Sequence, residues 1–314
     1  MASIATHFSA FLLLFPVGLR RLHSSSSLYL HSPSQFRSKL WYLSDPKWKN
    51  LDLYALLITL PIASFSELFL FLSFSGHPSY RFSFFQQSFA LLAFWFLILL
   101  IIVHEYNATS SLISETLVYV LGGVVFFMEY SVMETGVSGL AADVYGFIGW
   151  LALLCAGSCI YLSFKPSAFF AEFLLCCGLV FKGTWLLQGG FLLYTDALGL
   201  KGCKKISSLL LMSTQDDVVD VHCELEQDKA RGFALVNFLF TLHALVVMVL
   251  AVGLVVVLGR NRSLRTGGGE GKGPLLSEIE ATNIRMRALP ELEIDSVMEF
   301  EAYCYVDTKC APNS

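Results

Sequence analysis

The chain is a series of long apolar stretches separated by polar ones, and the apolar stretches exceed what a soluble core needs. A helix rises ~1.5 Å per residue, so roughly 20 apolar residues cross a ~30 Å hydrocarbon layer. Seven stretches reach that length, at 4–22, 51–75, 84–103, 112–133, 140–162, 168–194 and 233–258. "LLAFWFLILLIIV" in the third and "LVVMVLAVGLVVVL" in the seventh contain no charge. Barrel strands are excluded, because they alternate apolar and polar positions over about ten residues and these runs are apolar on every side. The pattern predicts an all-α fold. Residues 1–258 form a polytopic membrane bundle of seven transmembrane helices. Residues 259–314 form a flexible, disordered cytosolic tail that opens on the linker "TGGGEGKGP".

Composition strengthens this picture. Of 314 residues, 55% are hydrophobic and 15% charged, against about 25% charged in soluble domains. The mean hydropathy is +0.63. A net charge of −4 points to no nucleic-acid partner. The lipid bilayer is the expected partner, with a second copy of the chain or other membrane proteins beside it.

Charge then gives the helices a direction. Arg20, Arg21, Arg37, Lys39, Lys47 and Lys49 follow the first helix against one acid, Asp45, and Arg260, Arg262 and Arg265 follow the last. Cytosolic loops carry the excess of Lys and Arg. The N-terminus is therefore expected on the lumenal or extracellular side and the C-terminus in the cytosol, in the secretory pathway or plasma membrane. An organellar transit peptide is the competing reading of the Arg- and Ser-rich start. However, the apolar block "FSAFLLLFPVGL" precedes that cluster, the order of a first membrane helix and a cytosolic loop. The long loop from Thr195 to Gly232 falls in the lumen by helix count. Its Cys203 and Cys223 then lie in an oxidising space, as a disulfide or as two thiols. Cys155, Cys159, Cys176 and Cys177 fall in apolar runs and read as packing residues. The sequons at Asn107 and Asn261 face the cytosol in this topology and stay unglycosylated.

Ionisable groups inside a membrane are costly, so each normally faces the bundle interior and finds a partner. The candidates are Glu67, Glu129, Lys182 and His243, about 12, 6, 18 and 15 Å from the outer ends of their helices. Asp143, His7, Gln86 and Gln87 lie near outer ends. The inner half is apolar apart from Glu115 and Glu172 near inner ends. An outer-half polar cluster results. Lys182 must pair or lose its proton, with Glu129 or Glu67 as partner. Its functional reading is a proton- or ion-handling site or a ligand counter-ion. The structural reading is an ion pair or a snorkelling lysine. His243 is a proton-relay member or a hydrogen-bonded interior histidine. No HExxH, GxSxG, P-loop or dinucleotide fingerprint occurs, and His7, His104, His222 and His243 have no metal-ligand spacing. The expectation is no enzyme, no cofactor and no metal. Gly122, Gly123, Gly146, Gly149, Gly189 and Gly190 read as close helix-packing points.

In the sixth helix, "KGTWLLQGGFLLY" resembles the signature of the transmembrane protein 45 family, also described as a domain of unknown function (DUF716). Gly183, Thr184, Trp185, Gln188, Gly190 and Phe191 carry the resemblance. "FFMEY" is similar to the family's Phe-Met-Glu element at Phe127, Met128 and Glu129. "THFSAFLLLFPVGL" is similar to its first helix, with His7 at the early histidine, and His243 falls at the histidine of the last helix. The resemblance spans about residues 1–258. Animal members carry several histidines after the Phe-Met-Glu element where this chain has none, and a Gln where it has Lys182. The plant-type members, some described as viral-response proteins, are more similar. The resemblance implies a multi-pass membrane protein of no established activity. Two functions are expected from different parts of the chain. One is transport or ligand sensing through the polar cluster. The other is a scaffold, trafficking or defence-response role through the cytosolic tail, including the dileucine-like "PLLSEIE".

Overall fold

The computed structural model describes residues 4–43, 50–73, 78–106, 114–133, 139–195, 203–205, 221–223 and 225–267. It divides into two compact units, Met1–Gly259 and Arg260–Ser314. Of the second unit only residues up to 267 are described, so the linker, the dileucine-like segment and the rest of the tail lie outside the described residues. So does the sequon at Asn107.

Among the described residues there are seven long helices: α1 Ile4–His31, α2 Leu51–Ser73, α3 Pro78–Tyr106, α4 Glu115–Met133, α5 Leu140–Phe164, α6 Phe169–Tyr194 and α7 Glu226–Gly267. A single 3₁₀ turn, Pro33–Gln35, follows α1. Six of the seven, α2 to α7, are long and apolar enough to cross a membrane. The remaining helix, α1, begins with the apolar block and continues past Leu22 into the Ser-rich stretch "HSSSSLYLH". Arg20 and Arg21, expected in a loop, therefore lie on α1. They stay helical because their side chains find partners in the neighbouring loop and helices, described below. The start of α7 also precedes the expected span. Its first residues, "EQDKAR", are mostly strong helix formers, and Glu226 and Asp228 sit in the first turn where the helix dipole favours anions. Between α6 and α7, β1 Cys203–Lys205 pairs antiparallel with β2 Val221–Cys223, and the register sets Cys203 opposite Cys223.

The exposed surface is greasy. Phe65, Phe69, Leu245, Val249 and Leu250 are each more than 60% exposed. A soluble protein does not present such a surface, and a bilayer covers it. Together with the six apolar helices, this makes the protein an integral, multi-pass membrane protein. Burial ranks the helices: in an apolar 18-residue window of each, 67% is buried in α6 and 56% in α5, against 11% in α7 and 6% in α2. The central helix, α6, packs on α1 and α5, with α4 beyond α5, α3 beside α4 and α2 against α3.

Glycine sets the α1–α6 distance. A Cβ on Gly18 of α1 would lie 2.8 Å from the Val180 backbone nitrogen, and one on Gly183 would lie 2.9 Å from that of Phe15. One on Gly190 would meet His7 Cβ at 2.8 Å. Small residues allow helix backbones to approach this closely. Gly123 against Ile160, Gly149 against Tyr130 and Gly189 against Val144 do the same for α4–α5 and α5–α6. Gly146 does not fit that expectation, because a Cβ there meets nothing within 4 Å. Cys155, Cys159, Cys176 and Cys177 are buried free thiols. On α2–α3, Ser64 and Ser88 each donate to the other's backbone carbonyl at 2.9 Å.

Candidate functional site

Four faces of α6 engage four different helices, and the side chains around Lys182 assign each face. Gly183 and Gly190, seven apart, face α1. Trp185 and Gly189, four apart, face α5: the Trp185 indole, fully buried, donates to the Val144 carbonyl at 3.2 Å. Thr184 and Gln188, also four apart, face α7, where they meet His243. Lys182 faces α4. The family-like motif is therefore a packing code, in which each residue type answers what its neighbour presents. Phe191 is 42% exposed and packs outward.

Lys182 is buried at 2% exposure. Its Nζ pairs with Glu129 Oε2 of α4. The ammonium also lies 5.5 Å from the Phe126 ring centroid and 5.8 Å from that of Phe94. Ring faces carry negative potential and attract a cation. The site is thus one carboxylate, one ammonium and two aromatic walls. Of the two acids expected as partners, the structure selects Glu129. Glu67 stays on α2, and its Oε2 has no hydrogen-bond partner.

His243 stands on the neighbouring face. The Thr184 hydroxyl lies within hydrogen-bond distance of the Val180 carbonyl at 2.9 Å and of His243 Nε2 at 2.9 Å. His243 Nδ1 meets the Gln188 side-chain amide. Nearer the same membrane end, Tyr145 hydroxyl contacts His7 Nε2 at 3.2 Å and Tyr194 hydroxyl at 3.5 Å. Glu129, Lys182 and His243 therefore all engage the central helix, as paired groups along two of its faces.

The opposite end of the bundle holds a larger network that the sequence reading did not foresee, because it counted Arg20 and Arg21 as loop cations and that half as apolar. Glu172 of α6 is fully buried. Arg21 lies 2.7 Å from its Oε1 through Nε and donates to Oε2 through Nη2 at 2.9 Å. Ser38 donates to the same carboxylate at 2.5 Å and Tyr42 at 3.3 Å. Arg21 further donates to the Leu40 carbonyl at 2.8 Å and the Lys39 carbonyl at 3.0 Å. Burial pushes the Tyr42 phenol well above its ordinary value, and the Glu172 carboxylate pushes it further. Arg20 pairs with Asp52 and donates to Asn50 Oδ1 at 2.6 Å and the Tyr42 carbonyl at 2.7 Å. The available signal was two adjacent arginines ending one apolar run and an acid just inside another run on the same side.

Among the described residues, no group of three His, Cys, Asp or Glu side chains is placed to hold a metal. A helical, multi-pass membrane protein with two buried ion pairs on its central helix, one at the first turn and one midway along it, is the class this fold and site define. Residues 115–256 match the model of DUF716, a family of unknown function. The match opens on the first residue of α4 and takes in Glu129, Lys182, the α6 motif and His243. No curated protein matches the chain.

Proposed function

We propose that the Lys182–Glu129 pair, with His243 beside it, is the working part of a non-enzymatic membrane protein that moves or senses a small solute or proton. The observation that supports this is the sparseness of the pair. An ammonium has three protons to donate, yet Lys182 has one carboxylate partner and two ring faces. Protonating Glu129, or exchanging it for a solute carboxylate, leaves the lysine ready to take a new partner. His243 supplies a titratable group on the next face of α6.

The protein is read as a plant-type member of the transmembrane protein 45 family, with an N-terminus outside or in the lumen and a cytosolic C-terminus. The α6–α7 hairpin supports that orientation. Residues directly opposite in an antiparallel pair sit about 4.5–5.5 Å apart, within the roughly 4.4–6.8 Å that a disulfide spans. A Cys203–Cys223 disulfide, formed by exchange with an oxidised thiol carrier, requires an oxidising lumen on that side. Mass spectrometry of the non-reduced protein is expected to find it.

The functional test is flux in proteoliposomes across protons, metal ions and small solutes, for wild type, Lys182→Ala and a chain lacking residues 266–314. The expected result is flux in wild type and the truncated chain and none in Lys182→Ala. Absence of flux for every substrate in wild type, with loss of cellular function only on truncation, would assign the activity to the tail instead.

A further inference from the structure

The α4–α5 side of the bundle holds a groove that the Lys182–Glu129 reading leaves unused. Its volume is about 310 Å³, in the range of pockets that take small organic ligands. Helical spacing builds it. On α5, Asp143, Gly146, Phe147 and Trp150 fall at i, i+3, i+4 and i+7, on one face. On α4, Tyr130 and Met133 form the other wall. Gly146 supplies the floor, which explains why a Cβ there would enter open space when most of the other glycines in the bundle are crowded. The Tyr130 and Trp150 rings stand 6.0 Å apart at 54°.

The groove lining carries one charged group, Asp143, beside the Tyr130 hydroxyl and the Trp150 indole N–H. Asp143 Oδ2 is buried and has no hydrogen-bond partner. An unpaired carboxylate at an apolar wall is costly, so the site is incomplete without a cation. The counter-ion that suits the rest of the lining is a cation carrying apolar groups. An ammonium satisfies the carboxylate, while its methyl or methylene substituents lie against aromatic faces that attract them. Metal ions and sugars fit poorly, because one carboxylate among rings and glycine offers them too few oxygens.

Position narrows the source. Asp143 lies in the first turn of α5, at the membrane boundary, and Trp150 lies roughly 10 Å deeper along the helix. Trp150 is 60% exposed on the lipid-facing surface. The groove is therefore polar at its boundary end and opens along an apolar wall toward the bilayer, the shape of an amphiphile standing in the membrane. We infer that this groove binds the ammonium headgroup of a bilayer lipid, with Asp143 as counter-ion and Tyr130, Phe147 and Trp150 against its apolar part.

The test uses the full chain purified in a neutral maltoside detergent. Phosphatidylcholine, phosphatidylethanolamine or phosphatidylglycerol is added, and retained lipid is read by native mass spectrometry. The two ammonium lipids are expected to be retained at least fivefold over phosphatidylglycerol. Asp143→Asn removes that preference and Asp143→Glu restores it. Gly146→Leu, whose Cβ enters open space and whose side chain extends into the groove, removes the bound lipid while the protein elutes as wild type. Equal retention of all three lipids by wild type, or an unchanged preference in both Asp143→Asn and Gly146→Leu, overturns the inference. So does choline chloride if it saturates the groove and the lipids do not, since the occupant is then a free cation. The readout is binding, so it stands or falls apart from any flux through Lys182 and Glu129.

Discussion

The two buried ion pairs of the bundle differ in how many partners surround them. Glu172 receives Arg21, Ser38 and Tyr42, and Arg21 is committed to two backbone carbonyls besides. Lys182 has Glu129 and two rings. A buried charge is stable only when its hydrogen-bonding capacity is met, and removing one partner of a fully desolvated pair is far costlier than replacing both. The Arg21 network draws partners from α1, α6 and the loop that follows α1, so any rearrangement breaks several bonds together. It acts as a clasp. The Lys182 pair is undersupplied, so it can change partner or protonation by breaking a single bond. The contrast separates a charge with many partners from one with few.

The largest expected effect is on the clasp. Arg21→Ala strands Glu172 in the interior, and a loss of about 3–5 kcal/mol is expected, read as a large drop in the melting temperature of the detergent-solubilised protein. A clasp variant that melts like wild type would remove the structural half of the contrast. Next comes the α1–α6 crossing: Gly183→Leu drives a side chain into the Phe15 backbone and should cost about 1–3 kcal/mol or more, again read by melting. The third prediction concerns the sparse pair. Glu129→Ala leaves a buried ammonium and is expected to destabilise, whereas combining Lys182→Met with Glu129→Gln restores most of the loss, because a neutral pair of similar volume is often no worse than a buried ion pair. A double variant as unstable as the single one would place Lys182–Glu129 with the clasp. The smallest effect is at Ser64→Ala, which removes half of the reciprocal clamp to Ser88 and should cost about 1 kcal/mol.

The architecture was legible in the sequence because a bilayer demands uninterrupted apolar length, and each run announces itself. Lys182 and Glu129 were legible for the same reason, as charges inside such runs. Their pairing was not, since Glu67 and Glu129 both stood as partners on the same side, and only the packing order of α2, α3 and α4 decides between them. The clasp was hidden because Arg20 and Arg21 resemble loop cations, and nothing local says that the loop returns to cap them. The extension of α1 past Leu22 depends on the same partners. The α6 motif was visible as a string, but the reason for each letter required knowing which helix each face meets. Gly146 shows the limit of reading glycine from sequence: among the motif-like glycines, its neighbours make it the floor of a groove.

The central claim is that the Lys182–Glu129 pair serves function while the Arg21 network serves the fold. The measurement that addresses it most directly is flux through proteoliposomes carrying the Lys182→Met, Glu129→Gln double variant, alongside its melting temperature. The account predicts wild-type melting with flux abolished. Wild-type melting with wild-type flux would contradict it.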